Sequence, residues 1–264
     1  MKFLIIDGFN VIRRIYEARR DEANLDKRIE GTLTAALKSI SRALRDHSPT
    51  HAVLVLDAEG TNWRHDLFPP YKAGRTPMEP KLREAILEWV KTEVSPKLGL
   101  PSVWLSGFEA DDLIARLHSD WRILVGEGEE FPCVVLSTDK DTLSLIEPGT
   151  TVYHHFDQAS RNEAWVVENL GVAPAQVLDY LALMGDSSDN VPGVSKIGPK
   201  TAAGLLAQFG TLDQVLANAA SIKGKTGERL VEEAHLARLS RQLVSFQCSE
   251  QLSLCIQDCR LAAA

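Results

Sequence analysis

The chain has 264 residues, 44% hydrophobic and 25% charged, with a net charge of −7. That is enough to bury a full core, and no apolar run approaches the roughly 20 residues that a membrane-spanning helix requires. The four cysteines (133, 248, 255 and 259) form neither a C-x-x-C pair nor zinc-ligand spacing, which excludes a zinc ribbon and predicts reduced thiols.

Residues 3–6 are a short apolar run that ends in Asp7. Asp7 makes the run too short for a signal peptide, and no small-residue cleavage site follows, so a cytoplasmic location is expected. A helical pattern over 29–45 leads to a second apolar run, 52–56, which ends in Asp57. Residues 68–75, with Pro69, Pro70 and Gly74, read as a loop, and a helix is expected over 80–90. A strand-like run over 103–105 precedes Gly107, after which Glu109, Asp111 and Asp112 open another helix. Negative charge is favoured at a helix N-terminus, which accounts for one or two acids but not for three in four positions. Residues 133–136 form a further buried-type run and reach Asp139 and Asp141 at i, i+2.

Strand, helix, strand repeated in this way predicts an α/β fold with a parallel sheet. In open sheets of this kind ligands bind at the carboxyl ends of the strands, so Asp7, Asp57 and Asp139 are directed into one crevice. His154 and His155 have no partner at helical spacing and read as strand or surface residues. Beyond about residue 181 a Gly, Pro and Ser-rich loop over 185–199 adds Asp186 and Asp189. A helix is expected over 200–208, with helical character continuing to about 251.

Asp7, Asp57, Glu109, Asp111, Asp112, Asp139, Asp141, Asp186 and Asp189 make nine candidate acids. Two carboxylates about 6 Å apart repel by roughly 3 kcal/mol at an effective dielectric near 20, so nine together require cations. All-oxygen ligation without His or Cys selects Mg²⁺ or Mn²⁺. Two such ions are the apparatus of in-line phosphoryl displacement, which makes phosphodiester hydrolysis the expected chemistry. Setting the nine charges aside turns the net charge of −7 into +2, so the rest of the surface does not repel nucleic acid. Residues 193–201 read G-V-S-K-I-G-P-K-T, one position away from a nucleotide-binding P-loop. Pro199 breaks that match and offers no N–H to a phosphate.

These motifs resemble the 5′-nuclease or flap endonuclease family, which includes the nuclease domain of bacterial DNA polymerase I, and are most similar to its short, free-standing Xni-type members. The resemblance runs from Phe3 to about Phe209 and is carried by I-D-G-F-N at 6–10, Y-K-A-G-R at 71–75, E-A-D-D at 109–112, S-T-D-K-D at 137–141, G-D-S-S-D-N at 185–190 and G-V-S-K-I-G-P-K at 193–200. It implies a PIN/Rossmann-like nuclease core over 1–180 with a helical arch at about 75–101. A helix-hairpin-type DNA-binding region over 181–264 would follow without a flexible linker.

By the same resemblance, Asp7, Asp57, Glu109 and Asp111 serve a first metal position, and Asp112, Asp139, Asp141, Asp186 and Asp189 a second. Lys72 and Arg75 lie at the arch base and Arg14 approaches the scissile phosphate. Tyr71 stacks on a base or packs. Lys196, Gly198 and Lys200 hold duplex phosphates. A K⁺ ion is expected on the main-chain carbonyls of Leu183, Met184, Val194 and Ile197. The implied activity is hydrolysis of branched, flapped or nicked DNA near single-strand/duplex junctions. A junction binder that does not cleave and an RNA-directed nuclease of related fold are the alternatives. The complete acid set favours cleavage, and the hairpin element favours DNA.

Overall fold

The computed structural model describes residues 1–262 except Glu127 and Glu129. Six strands, β1 (Phe3–Asp7), β2 (His51–Val55), β3 (Ser102–Val103), β4 (Cys133–Leu136), β5 (Thr150–His154) and β6 (Ala159–Arg161), form one sheet in the order β3-β2-β1-β4-β5-β6. All neighbours are parallel except β5 and β6. The chain moves outward from β1 through β2 to β3 and then returns to β4 on the other side of β1. The crossover point, where α/β sheets bind ligands, therefore lies between β1 and β4.

The helices are α1 (Gly8–Ala18), α2 (Leu25–His47), α3 (Trp63–Leu67), α4 (Pro80–Trp89), α5 (Ser95–Leu98), α6 (Ala110–Val125), α7 (Glu163–Leu170), α8 (Val177–Met184), α9 (Pro199–Phe209), α10 (Leu212–Ala217), α11 (Lys225–Glu232) and α12 (Ala234–Leu243). No helix among the described residues is long and apolar enough to cross a membrane.

Both faces of the sheet are covered, so its central strands are apolar throughout rather than alternating. Phe3, Ile5, Val53, Val55, Cys133 and Val135 point to one face, where Leu113, Ile114, Leu117 and Trp121 of α6 meet them. The same cluster runs on without a break through Leu181 and Leu183 of α8 to Leu243 of α12. Leu4, Ile6, Leu54, Leu56, Val134 and Leu136 point to the other face, against α1, α2 and α4. Gly8 lets α1 start directly above β2, because a Cβ there would stand 2.7 Å from the Leu56 side chain.

The 75–101 segment departs from the expected arch. Leu82, Ile86, Trp89, Val90 and Val94 are all buried against the second face of the sheet. Their helical spacing makes a single apolar stripe, so α4, a following π-helical turn (Val90–Val94) and α5 are core helices. Of this segment Arg75, Met78 and Arg83 line the cleft, and Arg13 donates to the Thr76 carbonyl at 3.3 Å. The run expected over 103–105 contributes just Ser102 and Val103 to the sheet, and Trp104 is 41% exposed. His154 ends β5 and is buried with His155; Asp157 lies 3.0 Å from His154, and His155 meets Ser39. All four cysteines are free thiols.

Candidate active site

A cleft of about 600 Å³ opens at the carboxyl ends of β1, β2 and β4, lined by Asp7, Asp57, Asp111, Asp139, Asp186, Lys72, Arg75, Arg13 and Arg14 among others. Chain reversals place each acid. Asp7 ends β1 and caps α1, accepting the Asn10 N–H at 3.0 Å and the Ser137 hydroxyl at 2.9 Å. Asp57 follows β2 and accepts the Ala110 N–H of α6 at 2.8 Å, which fixes the start of that helix beside it. Asp139 follows β4 and accepts the Lys140 N–H at 3.0 Å. Asp186 turns its own loop by accepting the N–H and hydroxyl of Ser188, at 2.7 and 2.6 Å. That loop is held by Gly193, at φ 63°, where a Cβ would come 2.6 Å from the Met184 carbonyl carbon.

The site is electrostatically divided. Burial first, then the charge of Asp57, pushes the Asp7 carboxyl up to about 7. Burial likewise raises Asp57. Burial followed by Asp139 raises Asp111 far above the carboxylate range, and burial followed by Asp139 and Asp189 does the same to Asp141. Asp139 is raised by burial and then by Asp189. Glu109 goes the other way: burial pushes it up, but Lys72 at 2.6 Å and Arg64 at 3.3 Å outweigh burial and hold it low. Lys72 and Arg75 also pair with Asp189.

Five carboxyls raised together, Asp7 buried and Asp57, Asp111, Asp139 and Asp141 partly buried, describe a region short of positive charge. Asp111 Oδ1 is buried and has no hydrogen-bond partner among the described residues. With an all-oxygen donor set, these features fit hard divalent cations. No three acidic, His or Cys side chains among the described residues converge tightly enough to cage one ion. Glu109 and Asp189 are instead engaged by Lys72 and Arg75.

Asp112 and Tyr71 are both buried and hydrogen-bonded beneath the cleft, Tyr71 in the packing alternative expected for it. Asp112 is 1% exposed, and its oxygens receive Arg64 at 2.7 and 2.9 Å, the Gln247 N–H at 2.9 Å, the Glu109 N–H at 3.0 Å and Trp63 Nε1 at 3.3 Å. Its oxygens are committed to these donors, which makes it a structural anchor. The spacing of Asp112 three residues after Glu109 was the available signal, since a carboxylate at that position reaches back to the helix start. Tyr71 is 4% exposed and its hydroxyl donates to Glu109 at 3.0 Å and Asp189 at 3.3 Å, so it packs and bridges rather than stacking on a base.

Sequence reading missed Arg64 and Arg83. Arg64 is buried and also donates to the carbonyls of Leu243 at 2.7 Å and Ser245 at 2.8 Å, joining the acid cluster to the C-terminal segment. Arg83 donates to the Asp57 carbonyl at 3.1 Å. Nothing in local sequence separates either from a solvated surface arginine.

Arg14 is exposed on the α1 wall, 5.4 Å from the Phe156 ring centroid. Lys196 and Lys200 are exposed, and Gly198 directly precedes α9. The Leu183 carbonyl accepts the Val194 N–H at 2.9 Å and that of Val194 accepts the Ile197 N–H at 3.1 Å, which leaves each one lone pair.

Comparison with known proteins places this architecture. Residues 2–171 match the 5′-3′ exonuclease, N-terminal resolvase-like domain, and residues 172–264 match the 5′-3′ exonuclease, C-terminal SAM fold. Flap endonuclease Xni of Shewanella oneidensis is 37% identical over 260 residues, covering 98% of this chain and 95% of the relative. The T5 D15 protein co-crystallized with metal ions superposes with a TM-score of 0.75 at 22% identity, over 92% of this chain and 89% of that one. The catalytic core of Rad2 in complex with DNA substrate gives 0.55 at 15% identity, over 90% and 73%. Those two likenesses are of fold, whereas the matched domains and the Shewanella relative span nearly the whole sequence: the chain belongs to the 5′-3′ exonuclease family, together with the flap endonucleases called Xni.

Proposed function

We propose that the protein is a divalent-metal-dependent, structure-selective 5′-nuclease that hydrolyses phosphodiester bonds of branched, flapped or nicked DNA near single-strand/duplex junctions. The observation that carries this reading is the cluster of buried and partly buried carboxyls at the crossover point, with Asp111 Oδ1 unpaired beside them. Asp7, Asp57, Glu109, Asp111, Asp139, Asp141, Asp186 and Asp189 would hold Mg²⁺ or Mn²⁺. When bound, such ions supply Lewis-acid polarisation of the phosphate and a more acidic water.

The chain's own groups account for the remaining steps. Lys72 and Arg75, already inside the cleft, neutralise phosphate charge as it develops. Ser137 and the Ala110 N–H fix the carboxylates of Asp7 and Asp57, so little reorganisation is needed during reaction. Arg14 on the α1 wall meets the strand at the cleft mouth. The cleft has the volume of a small-ligand site, so one strand enters rather than a duplex. Lys196, Lys200 and the backbone at Gly198 hold duplex phosphates without reading bases, and the carbonyls of Leu183, Met184, Val194 and Ile197 would hold a K⁺ ion at that turn.

Asp111→Asn and Asp139→Asn test the assignment. Each is expected to lower Mg²⁺-dependent cleavage of a 5′-flap by more than about 100-fold while junction binding in a mobility-shift assay persists. Wild-type cleavage rates in both variants would refute it.

A further inference from the structure

We infer that the groove between the end of α1 and helix α2 seats a phosphodiester of the substrate DNA, with Arg19 as its donor and Gly31 as the residue that lets Arg19 lie there. This rests on the nuclease reading above and extends it to a second contact outside the cleft. The groove, about 390 Å³, is lined by Arg19, Lys27, Glu30, Gly31, Thr34, Ala35 and Lys38. Three cations and one carboxylate give it a net +2 on a chain of net −7. Lys27, Gly31, Thr34 and Lys38 recur at helical spacing on one face of α2.

Gly31 sits inside a 23-residue helix with no need for left-handed backbone, a place where glycine weakens a helix relative to alanine. What its missing side chain admits is Arg19. A Cβ on residue 31 would stand 2.5 Å from Arg19 Cζ and 2.9 Å from Nε, and closer still to Nη2. The guanidinium therefore occupies the place of the missing side chain, against the helix. Its Nε–H is buried and has no acceptor among the described residues. A planar guanidinium with donors unspent, flanked by Lys27 and Lys38, has the geometry that recognises phosphate. The neighbouring Arg28 is occupied, donating to the Tyr16 carbonyl at 2.9 and 3.2 Å and lying 3.7 Å from the Tyr16 ring centroid, so it orders the corner instead of joining the groove.

The groove lies at the end of the helix whose wall lines the cleft. α1 places Arg13, Arg14 and Glu17 on the cleft wall, and Arg19 follows Arg14 by five residues, about 7 to 8 Å along the axis. That is the span of about two nucleotide steps at 3.4 Å each. Five residues also turn about 140° round a helix, so a strand that meets both Arg14 and Arg19 wraps around the end of α1 as it leaves the cleft.

The test is the affinity of the full-length chain for a 5′-flap substrate in Ca²⁺, read by fluorescence anisotropy across salt concentrations with gels verifying intact DNA. Gly31→Ala, which displaces the guanidinium while favouring the helix, is expected to keep or raise the melting temperature and yet weaken binding about threefold to tenfold. The slope of log K against log salt should fall by about 0.9, one phosphate contact. Arg19→Gln should give the same loss, and the double variant no more than either alone, because both remove the same interaction. Wild-type affinity and slope in Gly31→Ala, or losses that add in the double variant, would overturn the inference. Wild-type cleavage of the same flap in Mg²⁺ is measured alongside. Its absence would defeat the nuclease reading, while the binding comparison still judges the groove.

Discussion

At the scale of single residues, neighbouring acids divide by what reaches them. Asp111 and Asp112 are adjacent, yet one carries an unpaired buried oxygen facing like charges and the other is saturated by Arg64 and backbone donors. Asp112→Asn should therefore act on stability, leaving Glu109 as the one carboxylate paired with buried Arg64, at a cost below the ~3–5 kcal/mol of a fully broken buried pair. Chemical denaturation should show that loss, and the Mg²⁺ concentration for half-maximal cleavage should stay at the wild-type value. An unchanged unfolding midpoint with a raised Mg²⁺ requirement would restore Asp112 to the metal set.

Proton linkage follows from the same division. Asp7, raised to about 7, and Asp57, Asp111, Asp139 and Asp141, all raised, bind more protons folded than unfolded, where carboxyls titrate near ~3.9. Their contribution to stability is present at low pH and is lost as pH rises through the folded values. His118, lowered to about 4 by burial and Arg122, runs the opposite way, its contribution being lost as pH falls below ~6.5. His47, His51, His154 and His155 are lowered as His118 is, and the contribution of all five imidazoles is nearly complete above their unfolded value of ~6.5, so above it the raised carboxyls decide and the metal-free protein should melt at a lower temperature at pH 8 than at pH 7. Mg²⁺ should remove most of that fall. A melting temperature in EDTA that is flat or rising over this interval would contradict the carboxyl assignment.

Among the elements, legibility tracked how locally each is determined. β1, β2 and β4 could be read because fully buried parallel strands are apolar without alternation, and each ends in an acid that turns the chain. β5, with polar residues Thr150, Thr151 and His154, carries no such signature and takes its place from pairing with β4. α4 was legible as a helix but not as a core helix: whether Leu82, Ile86 and Trp89 face the sheet or solvent depends on a sheet formed by distant segments. The turn before α9 was legible from its glycines and lysines, and the phosphate-binding role proposed for it is separable from the cleft. Lys196→Ala and Lys200→Ala should weaken duplex binding evenly across sequences and lower the salt slope by about 0.9 for each phosphate no longer neutralised. Titrations showing sequence-dependent losses, or an unaltered slope, would remove these lysines from the phosphate-binding set.

For the whole molecule, one apolar cluster runs from the sheet into the C-terminal helices, and Arg64 ties the acid cluster to Leu243 and Ser245 across the same boundary. Cleft, hairpin and α1 wall are thus held on one frame, as an enzyme must hold them to select a junction by its shape rather than its sequence. A duplex engaged by Lys196 and Lys200 would present one strand to the acids, with Lys72 and Arg75 beside the phosphate. The most direct measurement is end-labelled cleavage mapping on matched 5′-flap, nicked and single-stranded DNA over a Mg²⁺ titration. The predicted result is Mg²⁺-dependent cutting within a few nucleotides of the flap junction, much faster than on the single strand. Cutting that ignores the junction, or a flap left intact at every Mg²⁺ concentration, would contradict it.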